Sequence, residues 1–317
     1  MQWLNYDRIT GQMKILITGG TGFIGSHVCN LLISQGHQVV VVDNLSHSTT
    51  DSISSKTEFI KADLLDQSAL EKILPGVDAV IHMASLIEVS ESVLKPVEFA
   101  ENNIIGTVKL LEAMKNTGVK KIVFSSSACI YGKPKKIPIV EDDRLGLQEN
   151  PYGLTKISME QFCMLYHLLY NFDVTILRYF NPYGPGENHS PETHAIPNFI
   201  KAILAKQKVP LFWGGEQTRD FIYIDDLVKA HILPLNLTGL HIYNVGSEIG
   251  VKVIDVIKKI FEIVGYKVEI EDKGERKGDV PILVASSQKI KNELGWEPKV
   301  ALEEGLKNTI EYFKSNS

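Results

Sequence analysis

A doubly wound α/β fold built on a parallel sheet is what this sequence predicts, on three observations. Apolar runs of four to six residues alternate with longer stretches of helical periodicity. That is the pattern of βαβ units whose sheet is covered on both faces. The first run ends in clustered glycines that open a helical stretch, and an acidic residue follows the second run. After about residue 180 the rhythm breaks. Residues 13–180 are therefore expected as one unit and 181–317 as a smaller mixed α/β unit, with some chain crossing back to the first.

The elements follow in order. Residues 14–18 (KILIT) form the first buried strand, 22–35 a helix, and 38–42 (QVVVV) the second strand, with Asp43 after it. Residues 59–62 and 77–82 (VDAVIH) repeat the strand signal around a helical stretch at 68–74. Residues 91–116 read as one long helix, entered beyond Pro96, and 121–125 (KIVFS) as the fifth strand. Residues 151–170 form a helix with proline at its favoured first position, followed by a sixth strand at 173–177. Residues 181–197 hold four prolines and read as a loop. Short elements are expected beyond, at 198–206, 221–224, 225–233, 253–264, 288–294 and 302–313.

Composition excludes several classes. Net charge is −5, with no basic stripe of the kind a nucleic-acid binder carries. No apolar run reaches the roughly 18 residues needed to cross a bilayer. Residues 1–12 hold no apolar signal core and stay outside the fold argument as an extension ahead of Met13. Cys29, Cys129 and Cys163 are scattered and odd in number, which suits neither a disulfide framework nor a metal knuckle. A reducing cytoplasm is expected, with no metal.

Residues 18–26 read TGGTGFIGS, so Gly19, Gly22 and Gly25 fall between a strand and a helix. Glycines let the backbone approach a pyrophosphate, and a helix N-terminus offers it unpaired N–H groups and the positive dipole end. This is the Rossmann-type dinucleotide fingerprint in its required context. Asp43 would accept hydrogen bonds from the adenosine ribose and would repel a 2′-phosphate. No arginine adjoins it, so NAD is favoured over NADP. Asp63 is placed for the adenine side, with a helix cap as its alternative role. Tyr152 and Lys156 stand at i and i+4, on one face of a helix. Ser125, Ser126 and Ser127 close the fifth strand, on the carboxyl edge where such sheets bind ligands.

With these residues in view, the chain resembles the extended short-chain dehydrogenase/reductase family. Within it the chain is similar to the UDP-glucose 4-epimerases and their nucleotide-sugar relatives. The matching stretches are TGGTGFIGSH (18–27), VVDNLS (41–46), SESVLKPVEFAENNIIGTVKLLEAM (90–114), KIVFSSSACIYG (121–132), NPYGLTK (150–156), LRYFNPYGPG (177–186), TRDFIYIDDL (218–227) and ERKGD (275–279). The resemblance implies catalytic roles for Ser127, Tyr152 and Lys156. A phenol with pKa about 10 is a poor base. The Lys156 ammonium and a positive nicotinamide ring would lower it, so Tyr152 could take the proton of a sugar 4-hydroxyl while hydride leaves C4. Ser127 would hold the same oxygen.

The resemblance extends the NAD-binding set to Phe23 and Ile24 at the helix start, and to Asn44, Leu45 and Ser46 after Asp43. It adds Leu64 beside Asp63, Met83, Ala84 and Ser85 after the fourth strand, then Asn102, Ser125 and Phe180. For a UDP-sugar it implies a diphosphate and ribose clamp of Arg219 and Arg276, with Asp279, because an arginine fork pairs phosphate in two places. Asn181 would donate to the phosphate, and Asn198 and Phe199 would reach it through backbone N–H groups. Trp213 would lie against the base. Leu283 would limit space beside the sugar C2 group, which leaves plain and N-acetylated hexoses both open. Some relatives carry lysine where this chain has Ile87. A homodimer is implied through a four-helix bundle made by residues 94–117 and 152–170, using Leu110, Leu111, Met114, Phe162, Leu165 and Leu169.

Ala128 and Cys129 follow Ser127, where the dehydratases of this family carry acids, so elimination of water is disfavoured. Cys129 keeps a second reading open. It occupies the place of the base in GDP-mannose 3,5-epimerases and GDP-fucose synthases, where a thiolate deprotonates a carbon beside a ketone. As the alternative, it is a small buried hydrophobe. A non-catalytic NAD sensor would have no use for Ser127, Tyr152 and Lys156 together.

Overall fold

The computed structural model describes residues 11–187, 194–275 and 280–316. Its centre is a seven-stranded, wholly parallel sheet. The chain enters through β1 (Lys14–Thr18), α1 (Phe23–Ser34), β2 (Gln38–Asp43), β3 (Glu58–Lys61), α2 (Gln67–Ile73) and β4 (Ala79–His82). The strand residues alternate between two apolar clusters. Ile15, Ile17, Val39 and Val41 join one, and Leu16, Val40 and Val42 join the other. This is the period-two alternation of a strand buried on both faces.

The helix expected over 91–116 is broken. It comprises α3 (Val89–Leu94), α4 (Pro96–Phe99), a π turn over Ala100–Ile105 and α5 (Gly106–Thr117). Pro96 lacks an N–H and restricts Lys95 before it, whose φ −128°, ψ 53° is not helical. The π turn bulges where Asn103 is drawn inward. Its side chain accepts from Leu86 N at 2.8 Å and donates to Leu86 O at 3.0 Å and to Thr155 Oγ1 at 3.0 Å. Single π turns of this kind occur often beside functional sites. Leu110, Leu111 and Met114 are completely buried against the sheet, so they form core and not the partner-facing surface expected of them.

The fifth strand, β5 (Lys121–Ser127), runs on through all three serines. In α6 (Pro151–Tyr170), Pro151 opens the first turn and Asn150 caps it by accepting from Gly153 N at 2.8 Å. Next come β6 (Asp173–Tyr179) and a short strand, β7 (Asn181–Tyr183), where a loop was expected. After α7 (Ala195–Leu204) the chain forms β8 (Val209–Leu211), β9 (Thr218–Tyr223) and α8 (Ile224–Ile232). Then β10 (Leu240–Val245) returns to the central sheet and pairs with β6. The last elements are β11 (Gly250–Lys252), α9 (Val253–Val264), β12 (Ile270–Asp272), β13 (Ile282–Leu283), α10 (Gln288–Leu294) and α11 (Leu302–Ser315). Strand β9 is flanked by β11 and β13 and also pairs with β7, while β12 pairs with β8.

The central order is β10-β6-β5-β4-β1-β2-β3. The chain reverses direction across the sheet between β1 and β4, and a crevice opens at the carboxyl ends of the strands there. No helix among the described residues is long and apolar enough to cross a membrane.

Candidate active site

A cleft of about 610 Å³ lies over that crevice and extends to β9 and α7. At one end is the glycine loop. A Cβ on Gly25 would stand 2.2 Å from Gly19 O, so the fold itself requires glycine there. Gly22 differs: a Cβ would meet only Gly19 O, at an ordinary 3.4 Å, and its open side faces the cleft. Gly22 is also the N-cap of α1, with no side chain capping the helix, and Gly19, Phe23, Ile24 and Gly25 line the cleft around it. An uncapped helix start behind a bare glycine is a cradle for a pyrophosphate, so the residues present fit a dinucleotide.

Asp43 closes β2. Its carboxylate accepts from Thr21 N at 3.3 Å and Leu45 N at 2.9 Å, which fixes it toward the cleft. Asn44 donates to Asp63 Oδ2 at 3.0 Å, and Asp63 also accepts from Leu65 N at 2.8 Å. The cap of α2 is Asp66, which accepts from Ala69 N, so Asp63 is not a helix cap. Asn44, Ser46, Asp63, Leu64, Met83, Ala84, Ser85 and Asn102 all line the cleft. Leu45 does not; at φ 60° its contribution is the N–H that holds Asp43.

Across the crevice, Ser125, Ser127, Tyr152, Lys156 and Phe180 converge. Ser127 and Tyr152 face each other in the cleft, and the Ser127 hydroxyl favours the ionised form of the Tyr152 phenol. Lys156 Nζ donates to Ser125 O at 2.9 Å and lies 5.9 Å from the centroid of the Tyr152 ring. Tyr179, absent from the sequence-based set, donates to Ser125 Oγ and contacts His231. The electrostatics depart from expectation. Burial is the main influence on Tyr152 and pushes its phenol above the ordinary value, against the Ser127 hydroxyl. Burial also pushes the Lys156 ammonium down to about 8. Lys156 in the protein alone therefore does not produce a low-pKa tyrosine. Cys129 is pushed up to about 11, chiefly by burial, which opposes a thiolate.

On the far side, Asn181, Asn198, Phe199, Arg219 and Leu283 line the cleft. Parallel pairing of β13 with β9 sets Leu283 opposite Arg219. Asn181 Nδ2 donates to Asp220 O at 2.9 Å, and Arg219 Nη1 donates to Val280 O at 2.6 Å. Asn198 is one turn inside α7, and its N–H donates to His194 O at 3.2 Å. That N–H belongs to the helix and is not directed at a ligand. Trp213 does not line the cleft; Phe212 does. Phe212 is still extended, but Trp213 begins a tight turn with φ 54°, and the backbone reversal there carries its side chain away from the direction of Phe212. Arg276 and Asp279 lie outside the described residues. Ser48, Leu86, Phe212 and Gln217 line the cleft without having been singled out by sequence. Only the aromatic run at 212–213 carried a signal, and it gave no facing. Among the described residues no cluster of His, Cys, Asp and Glu is arranged for a metal ion.

Fold and cleft together place the protein in the short-chain dehydrogenase/reductase class, a class of dinucleotide-dependent enzymes, with Ser127, Tyr152 and Lys156 lining the same cleft as the glycine loop. A profile of the NAD dependent epimerase/dehydratase family matches residues 15–246, and the chain belongs to that family. It is 39% identical to the UDP-glucose 4-epimerase of Bacillus subtilis, over 96% of this chain and 98% of that one. It superposes on the UDP-glucose 4-epimerase of Thermotoga maritima, solved with UDP-glucose, at a TM-score of 0.92 and 38% identity, covering 96% and 99% of the two chains. A UDP-N-acetylglucosamine 4-epimerase from Methanobrevibacter ruminantium, in complex with UDP-N-acetylmuramic acid, gives a TM-score of 0.90 at 34% identity, covering 96% and 99%.

Proposed function

We propose that this protein interconverts the C4 epimers of UDP-hexoses through a transient 4-keto sugar, using NAD that stays bound. The observation that carries this reading is the convergence of Ser127, Tyr152 and Lys156 in the same cleft as the glycine loop and Arg219. The glycine loop, the start of α1 and Asp43 would hold the cofactor. When bound, NAD supplies a hydride acceptor for C4 and a positive ring beside Tyr152. Tyr152 takes the proton of the 4-hydroxyl, Ser127 orients that oxygen, and Lys156 contributes positive charge that favours the phenolate. Tyr152 then returns the proton once the keto sugar has turned over in the cleft. Arg219, with Arg276, would pair the diphosphate during that rotation.

UDP-glucose incubated with the protein should give UDP-galactose by product chromatography, without steady accumulation of reduced cofactor. Cys129→Ala should retain most of that turnover, since burial disfavours its thiolate; its collapse would promote the 3,5-epimerase reading.

Leu283 would set the choice between plain and N-acetylated hexoses. It is half-buried beside Cys129 and Phe180. Pockets discriminate such bulk by about 10–200-fold. Leu283→Tyr should depress kcat/KM for UDP-N-acetylglucosamine far more than for UDP-glucose, and Leu283→Ser the reverse. An unchanged ratio across the three forms removes Leu283 from the sugar site.

A homodimer also belongs to this reading. Exposed apolar side chains gather on α3, α4 and α6, with Leu94 82% exposed and Leu168 74%, beside Val97 and Leu169. Apolar surface of this kind marks an interface, and two copies of the helix pair would form a four-helix bundle. The double variant Leu94→Glu, Leu168→Glu should sediment as a monomer where the native protein sediments as a dimer. A monomeric native protein at micromolar concentration would refute the assembly. Free thiols at all three cysteines suit a cytoplasmic setting.

A further inference from the structure

We infer that Gln217 reads the base of the bound nucleotide, through hydrogen bonds to the imide edge of a pyrimidine; the inference rests on the UDP-sugar reading of this cleft. Gln217 is only 7% exposed and lines the cleft, yet its Oε1 is buried without a hydrogen-bond partner. None of the hydrogen bonds among the described residues uses its carboxamide. Buried polar atoms are nearly always satisfied, and an orphan in a ligand cleft marks a partner that arrives with the ligand. The residue is also rigidly presented. Val253 N, at the head of α9, donates to Gln217 O at 3.0 Å, and β9 begins at the next residue.

Its surroundings select the chemistry. Leu211, Phe212 and Val253 also line the cleft and give it apolar walls, with Val253 joined to Gln217 through its N–H. Arg219, two residues on, shares its side of the strand and lines the cleft as well. A diphosphate paired with Arg219 would leave Gln217 and the apolar side chains for the base. Phosphate carries no donor for an orphan acceptor. A uracil ring does, at N3–H, flanked by carbonyl oxygens. A carboxamide presents an acceptor and a donor side by side, so Oε1 would accept from N3–H while Nε2 donates to a ring carbonyl. A cytosine lacks the N3 proton and would leave Oε1 facing an acceptor.

Calorimetric titration of the full-length protein with UDP, N3-methyl-UDP and 2′-deoxy-UDP tests this, for the native protein, Gln217→Leu and Gln217→Met. The native protein should bind UDP about 10–100-fold more tightly than N3-methyl-UDP, the range expected when a buried acceptor is left unsatisfied. Both variants should bind the two ligands alike, near the weaker affinity, and keep their NAD. The comparison of ligands on the native protein stands even where a variant fails to fold. Equal affinity of the native protein for UDP and N3-methyl-UDP overturns the inference alone. So does a variant that keeps the discrimination, or a loss confined to 2′-deoxy-UDP, which would move the contact to the ribose. A native protein that binds none of the three overturns the UDP-sugar reading with it.

Discussion

In the Tyr152→Phe variant kcat is expected to fall by about 10²–10⁴-fold while NAD remains bound. The substitution removes one oxygen, the phenol that faces Ser127, and leaves the ring that packs near Lys156. Lys156 Nζ keeps its bond to Ser125 O, because that contact does not involve the phenol. The elements proposed to hold the cofactor, α1 and the end of β2, lie elsewhere in the cleft and are untouched. Turnover by product chromatography and cofactor content of the denatured protein read the two halves of the prediction separately. A loss of only a few-fold would mean that another group takes the proton. Burial raises the Tyr152 phenol in the protein alone. The bound state must therefore supply the charge that makes it a base, and phenol ionisation should differ between cofactor-loaded and stripped protein.

The second large effect is on stability. Glu160→Gln is expected to destabilise the fold by about 3–5 kcal/mol, because it leaves the Arg178 guanidinium buried without its counter-charge. Arg178 and Glu160 form a two-pronged pair, Nη2 to Oε2 at 2.9 Å and Nε to Oε1 at 3.1 Å, with side chains 4% and 0% exposed. Ser126 Oγ also donates to Glu160, and Arg178 Nη1 donates to Tyr131 Oη at 2.8 Å and Glu141 O at 2.9 Å. The cluster ties α6, which carries Tyr152 and Lys156, to β5 between Ser125 and Ser127. Denaturant midpoints on the NAD-loaded protein would measure the cost. The pair exchange Glu160→Met with Arg178→Met should recover much of it, since apolar replacement of a buried ion pair is often neutral or better. A cost below about 1 kcal/mol for Glu160→Gln alone would show that the pair does not hold this junction.

Much of this protein is legible in its sequence. The strand at 14–18 and the helix at 151–170 coincide with the observed elements. Their signals are local: an apolar run bounded by glycines in one, Asn-Pro followed by helical periodicity in the other. The glycine spacing, Asp43 after an apolar run, and the Tyr-x-x-x-Lys pair are equally local. Each carries its chemistry in the residue types themselves, and their meeting in one cleft follows from the strand order.

What lay beyond the sequence was decided by contacts between distant residues. The seventh strand, Leu240–Val245, joins the sheet only because β6 offers it an open edge. The helix over 91–116 is broken by Pro96 and by the pull of Leu86 on Asn103, which lies 17 residues away in the chain. Periodicity assigned Leu110 and Met114 an apolar face, but only packing could say whether that face meets the sheet or a partner. Choosing Phe212 over Trp213 required knowing which way the chain turns after β8. The raised Tyr152 phenol and the orphaned carboxamide of Gln217 are likewise consequences of burial, which no residue carries by itself. The sequence by itself determined the strongly patterned elements, such as the strand at 14–18 and the helix at 151–170, and which chemical groups the chain carries, because both are set by neighbours along the chain. Tertiary structure decided which groups face the cleft and in what charge state, because facing and desolvation depend on what else packs there.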